Sequence, residues 1–231
     1  MKKTAFLGSA AVVALSTGNA VAATLFAVGH AIPHKMMSNT PGLTTLYDQT
    51  SDELSSSIGS QNFGATYSQY DDAAADDFVV PAGHKWAIKE VDVAGVDYGA
   101  GPASSLNVIF YKNSSGIPGA VKSQCLNESN AGYNGNGGYA IKLVASTCTN
   151  GVVPKLKAGH YWVSVVANQN FSSDNQWYWT LNGTIHKDEA MWENPNDGFG
   201  FSQCETWCDL SNVIGYSADL AFTLKGRDIV G

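Results

Sequence analysis

The sequence predicts an all-β antiparallel sandwich or barrel folded as a single domain, and three observations carry that prediction. Short apolar stretches alternate residue by residue, turn-forming residues recur every eight to twelve positions from Leu46 onward, and no strong amphipathic helical period appears. Alternation is informative because successive side chains of a strand point to opposite faces, so that every second residue meets the core.

Taken in order, the candidate strands are Asp77 to Val80, Trp86 to Ala94, Leu106 to Tyr111, Tyr139 to Val144, Tyr161 to Ala167, Gln176 to Leu181 and Asp219 to Leu224. Leu106, Val108 and Phe110 share one face of their strand, as do Tyr161, Val163 and Val165, and Leu220, Phe222 and Leu224. The stretch from Trp86 changes phase, with Trp86 and Ile88 on one parity and Val91 and Val93 on the other, and a bulge near Lys89 and Glu90 reconciles them. Pro81-Ala82-Gly83, Asn113-Ser114-Ser115-Gly116, Pro118-Gly119, the Asn/Gly run from Asn134 to Gly138 and Asn182-Gly183 supply residues that fix φ or tolerate positive φ, and read as loops.

Ahead of this pattern, Lys2 and Lys3 precede an apolar stretch from Ala5 to Leu15, and Ala20-Val21-Ala22 offers the small-x-small pattern of a cleavage site. Residues 1–22 are therefore expected to be a signal peptide cut after Ala22, with the mature chain secreted or periplasmic. Residues 23–45 read as an N-terminal extension or leading strand, 46–226 as the sandwich, and 227–231 as a tail. His30 and His34 stand four apart, but Pro33 between them argues against the helix a shared metal would need. No stretch after the leader is long and apolar enough to span a bilayer.

Apolar residues make up 44% of the chain and can fill one core, whereas charged residues at 14% leave the surface to Ser, Asn, Gly and Thr. The net charge is −7, falling to −9 once Lys2 and Lys3 are lost, and Arg227 is the single arginine. Phosphate backbones require clustered cations, so nucleic acid is excluded as a partner class. Cys125, Cys148, Cys204 and Cys208 form an even set in an exported chain, which predicts two disulfides. Of the three pairings, Cys125 with Cys148 and Cys204 with Cys208 is favoured, because one flanks a single Gly-rich excursion and the other closes a short loop.

Several segments together carry a resemblance: Leu46-Tyr47-Asp48-Gln49, the run Ala75 to Gly83, Trp86-Ala87-Ile88, Gly116-Ile117-Pro118-Gly119-Ala120, Gly159 to Val165, Trp177-Tyr178-Trp179, Met191 to Pro195, Gly198-Phe199-Gly200 and Asp219 to Phe222. In this order they resemble a poorly characterised family of secreted bacterial jelly-roll-like β-sandwich modules, found alone or attached to exported proteins including proteases and surface-anchored proteins. The resemblance covers most of residues 46–226 and implies a jelly-roll-like sandwich; it implies no catalytic residues. Some relatives end in a sorting tail, unlike Arg227 to Gly231, so anchoring of that kind is not expected.

Two constellations bear on function. Trp177, Trp179, Trp192 and Trp207 offer flat indoles that could stack on sugar rings, with Asn168, Gln169, Asn170, Asp174, Asn175 and Gln176 near in sequence to bond hydroxyls. Core packing is the competing role for these tryptophans, given the area each buries. Asp71, Asp72, Asp76 and Asp77 place four carboxylates in seven residues, and Asp72, Asp76 and Asp77 are the first candidates for a structural calcium ion, against a simply solvated acidic turn. No nucleophile elbow or zinc-protease motif occurs, and Asp188, Glu189 and Glu193 are the acids that could form a glycoside-cleaving pair. The expected function is binding of extracellular carbohydrate or cell-envelope material; a structural role through protein contacts and a polysaccharide-degrading enzyme are the alternatives.

Overall fold

The computed structural model of the protein describes residues 28–30, 40–99, 101–129, 132–171 and 175–229. The expected signal peptide, His34 and Asp174 lie outside them. In chain order the strands are β1 (Val28–His30), β2 (Thr44–Gln49), β3 (Glu53–Gly59), β4 (Gln61–Asn62), β5 (Ala73–Val93), β6 (Gly95–Tyr98), β7 (Ser105–Ser114) and β8 (Ile117–Glu128). There follow β9 (Tyr139–Lys142), β10 (Lys155–Asn168), β11 (Gln176–Asn182), β12 (Met191–Glu193), β13 (Cys208–Asp209), β14 (Asp219–Leu220) and β15 (Phe222–Asp228).

They form two sheets. In the smaller, β11 pairs with β3 on one edge and with β6 and β14 on the other, and β1 lies outside β3. The larger runs β13-β12-β5-β10-β7-β8, with β15 and β9 on the second half of β5 and β2 beyond β15. Among the described residues every strand pairing is antiparallel except that of β4 with β10. The sheets face each other across one core, in which Trp179 of β11 meets Phe222 of β15 edge to face at 6.2 Å and Trp177 meets Tyr139 of β9 at 6.0 Å. The chain is thus an all-β sandwich.

β5 is the spine of the larger sheet, and it joins two segments that alternation alone separates. Val80 pairs with Gly159 and Lys85 with Lys157, so residues 81–84 bulge out opposite a single residue of β10. Pro81-Ala82-Gly83 does turn, with Gly83 at φ +80°, yet the ladder resumes beyond it. Further along, Lys225 pairs with Glu90 and Gly226 with Ile88, which leaves Lys89 unmatched. That is the bulge the change of phase requires, and Trp86, Ile88, Val91 and Val93 all reach the core.

The β7–β8 hairpin turns on Ser115 and Gly116, at φ +57° and +87°, between the paired Ser114 and Ile117. β8 itself carries the expected Pro118-Gly119 loop inside a strand. It lies at the sheet edge, where proline is tolerated, and its alternation is hidden because Ile117 and Val121 face outward while Ser123 and Glu128 are buried. The ladder also runs past the expected boundaries: Thr44 pairs with Gly226, Arg227 and Asp228 pair with Ala87 and Trp86, and Val28 to His30 form a leading strand against β3. Both disulfides close as predicted, Cys125 with Cys148 beneath β8 and Cys204 with Cys208 beside β12.

Candidate functional site

The site lies on the outer face of the larger sheet, and strand register places its residues. Residues directly opposite in an antiparallel pair share a face. Register therefore sets His160 opposite Val79, Trp162 between Asp77 and Tyr111, and Ser164 between Ala75 and Ile109. Val166 follows beside Asn107, while β12 adds Met191 against Ala75 and Glu193 against Ala73. From His160 to Val166 the strip runs roughly 20 Å at about 3.3 Å per residue.

This face is unusual in being largely covered. Trp162, Ala75 and Met191 are buried there as a small second apolar cluster, against which Tyr111 and Trp207 pack. Trp207 meets Tyr111 edge to face at 5.7 Å. It belongs to the loop between β12 and β13 and precedes Cys208, whose bond to wholly buried Cys204 anchors that loop. The indole of Trp207 remains partly open to solvent.

Beside Tyr111 an open cleft of about 190 Å³ is lined by Asn62, Asp71, Asn107, Tyr111, Glu193 and Pro195, among others. Amides crowd one end: Asn168 Nδ2 donates to Asn107 Oδ1 at 3.0 Å, and Asn62 Nδ2 donates to Asn168 Oδ1 at 2.6 Å. Asn194, wholly buried, holds the β12 end of the cleft. Its Nδ2 donates to the carbonyls of Gln69 and Asp71, and its Oδ1 accepts from the Phe199 amide. Burial pushes the Glu193 carboxyl up to about 7 and also raises Asp71, whose shift is partly offset by the Phe63 amide donating to it. Burial, and to a smaller extent the Glu193 charge, raises the Tyr111 phenol.

At the other end of the strip His160 Nε2 lies 2.5 Å from Asp77 Oδ2 and 3.8 Å from Asp188 Oδ2. The Asp188 amide donates to Asp77 Oδ1 at 3.3 Å. Burial is the main reason the Asp77 carboxyl rises to about 7, with the Asp188 amide opposing and the Asp188 and Asp219 charges adding. Burial and Lys187 lower the His160 imidazole, while Asp188 raises it. Both shifts favour the neutral form of the group concerned.

The tryptophans divide sharply. Trp177, Trp179 and Trp192 are wholly buried, each with its indole N–H donating to a backbone carbonyl, of Gly137, Ala221 and Gly59 respectively. No ring face is left for a sugar, which corrects the expectation for these three: alternation put Trp177 and Trp179 on one face, and that face is the core. Trp207 is the one of the four that is only partly buried.

The acidic run is corrected as well. Asp76 turns into the core, accepting from Gln49 Nε2 and the Leu220 and Asp77 amides, whereas its neighbour Asp77 points outward to His160. Asp72 accepts from the Gln61 amide, and all three carboxylates are buried rather than solvated. Adjacent strand residues point to opposite faces, so Asp72, Asp76 and Asp77 share no common calcium shell. Nor do the three later acids pair with one another: Glu193 lines the cleft, Asp188 sits by His160, and Glu189 accepts from Ser211. His160 and Tyr111 were missed as site residues. The available signal was parity, since each alternates with core residues on its own strand.

Compared with protein-family models, curated proteins and solved structures, the chain has no match. No described helix is long and apolar enough to cross a membrane.

Proposed function

We propose that the protein is an exported binding module that takes an extended polysaccharide or cell-envelope glycan on the outer face of its larger sheet. The observation that carries the reading is Trp207: a partly open indole, anchored by a disulfide and braced on Tyr111, beside a cleft whose lining mixes amides with carboxyls. Sugars present an apolar ring face and a rim of hydroxyls. An aromatic wall with convergent amide and carboxyl groups answers both. The two disulfides support export to an oxidising compartment.

The test is retention of the purified protein on a panel of insoluble polysaccharides and cell-wall preparations. Selective retention is expected, with affinity falling about tenfold in Trp207→Ala, the loss of one stacking contact. Retention on none of the polymers would overturn the reading and favour a structural role through protein contacts.

A second reading rests on Glu193. A carboxyl held up to about 7 in a cleft that also contains Asp71 has the protonation of a general acid. Release of soluble ends from the retained polymer, lost in Glu193→Gln while retention persists, would establish polysaccharide cleavage.

A further inference from the structure

Three segments distant in sequence bring one imidazole and two carboxylates to a point beyond the Trp207 end of the cleft. We propose that Asp77, His160 and Asp188 form a binding site for a divalent transition-metal ion of the zinc type. One ring nitrogen of His160 and one carboxylate oxygen from each of Asp77 and Asp188 lie within 4.8 Å of one another. Zinc bonds to such donors are about 2.0–2.2 Å long, so ligands at tetrahedral corners sit roughly 3.3 Å apart. The separations of 2.5 and 3.8 Å bracket that value, and small side-chain movements reach it.

The donor set selects the class of ion. Calcium takes six to eight oxygens, whereas one imidazole with carboxylates suits zinc and its neighbours. Asp77 is wholly buried, and its ion pair is with His160, with no lysine or arginine pairing to it among the described residues. The Asp188 amide donates to the other oxygen of Asp77, which orients the carboxylate toward His160. Asp188 has a third of its side chain exposed, against 14% for His160, so a fourth position opens to water on its side.

Other groupings among the described residues do not offer this chemistry. Cys125, Glu128 and Cys148 also converge, but their sulfurs are joined in the disulfide. His186 pairs with Asp219 at 3.2 Å without a second carboxylate completing a set.

The experiment is calorimetric titration of chelator-treated protein with zinc chloride, with bound metal counted by elemental analysis. One zinc per chain is expected, with affinity at least tenfold weaker in His160→Gln and in Asp188→Asn, unchanged in His186→Gln, and no comparable heat from calcium chloride. Near-ultraviolet circular dichroism checks the fold of each variant. Should His160→Gln unfold, Asp188→Asn carries the test, because that side chain is partly exposed. No zinc uptake by the unaltered protein, or uptake equal in folded Asp188→Asn, overturns the proposal. The titration contains no glycan, so it fails or succeeds independently of the polymer-binding test.

Discussion

The two faces of the larger sheet use the same three strands for opposite purposes. On the inner face Phe78, Val163 and Phe110, with Val165 and Val108, meet the smaller sheet and form part of a continuous core. On the outer face the intervening residues are Asp77, Trp162, Tyr111, Ser164 and Asn107, and two of the polar ones, Asp77 and Ser164, are wholly buried without a second sheet above them. The cover comes instead from the segment around Asp188 and the loop stapled by Cys204–Cys208. A face that buries polar groups under loops gains little in stability from doing so, because a buried polar group costs free energy unless it is bonded. The inner face therefore carries the fold and the outer face carries the chemistry.

That division breaks most visibly at the tryptophans. Trp179→Ala should cost about 3–5 kcal/mol in urea unfolding, as expected for removal of a buried indole from a packed core, and Trp207→Ala much less. Equal losses would mean that Trp207 is a core residue and that the outer face has no separate role.

Much of the inner face was legible in the sequence, and the reason is local. Leu106, Val108 and Phe110 announce their face by period, and the parity switch between Ile88 and Val91 locates the Lys89 bulge without any knowledge of partners. The outer face was not legible, because what makes it a site is coverage from elsewhere in the chain. Asp77, His160 and Asp188 meet only through the β5–β10 register and the approach of the segment before β12. The signal read as a solvated acidic turn or calcium loop was an alternating strand whose carboxyls divide between the two faces.

The disulfides sharpen the comparison at a smaller scale. Cys125–Cys148 spans 23 residues and Cys204–Cys208 only 4, and on loop-closure entropy their removal should cost about 3 and about 2 kcal/mol respectively. Serine replacements at both cysteines of each pair, compared by chemical denaturation, should follow that order, while polymer retention should follow the reverse. The Cys204–Cys208 loop holds Trp207, and the Cys125–Cys148 bridge lies at the β8 edge.

The smallest effect expected is in the pH dependence of stability, and Glu193 isolates it. Its carboxyl titrates near 4.5 when unperturbed and at about 7 in the fold, so the folded state binds the extra proton between those values. A group raised on folding contributes stability that is complete below its unfolded value and is lost as pH rises through its folded value. The unaltered protein should therefore lose about 1 kcal/mol or more relative to Glu193→Gln between pH 5 and pH 8, or a few degrees in Tm. Reading the difference between the two proteins cancels the raised Asp77 and the lowered His160, which act in opposite directions over this range. Parallel profiles would mean that Glu193 is ionised and solvated at neutral pH. Glu193 would then be no general acid, leaving the cleft to recognition by its amides, carboxylates and Tyr111 ring.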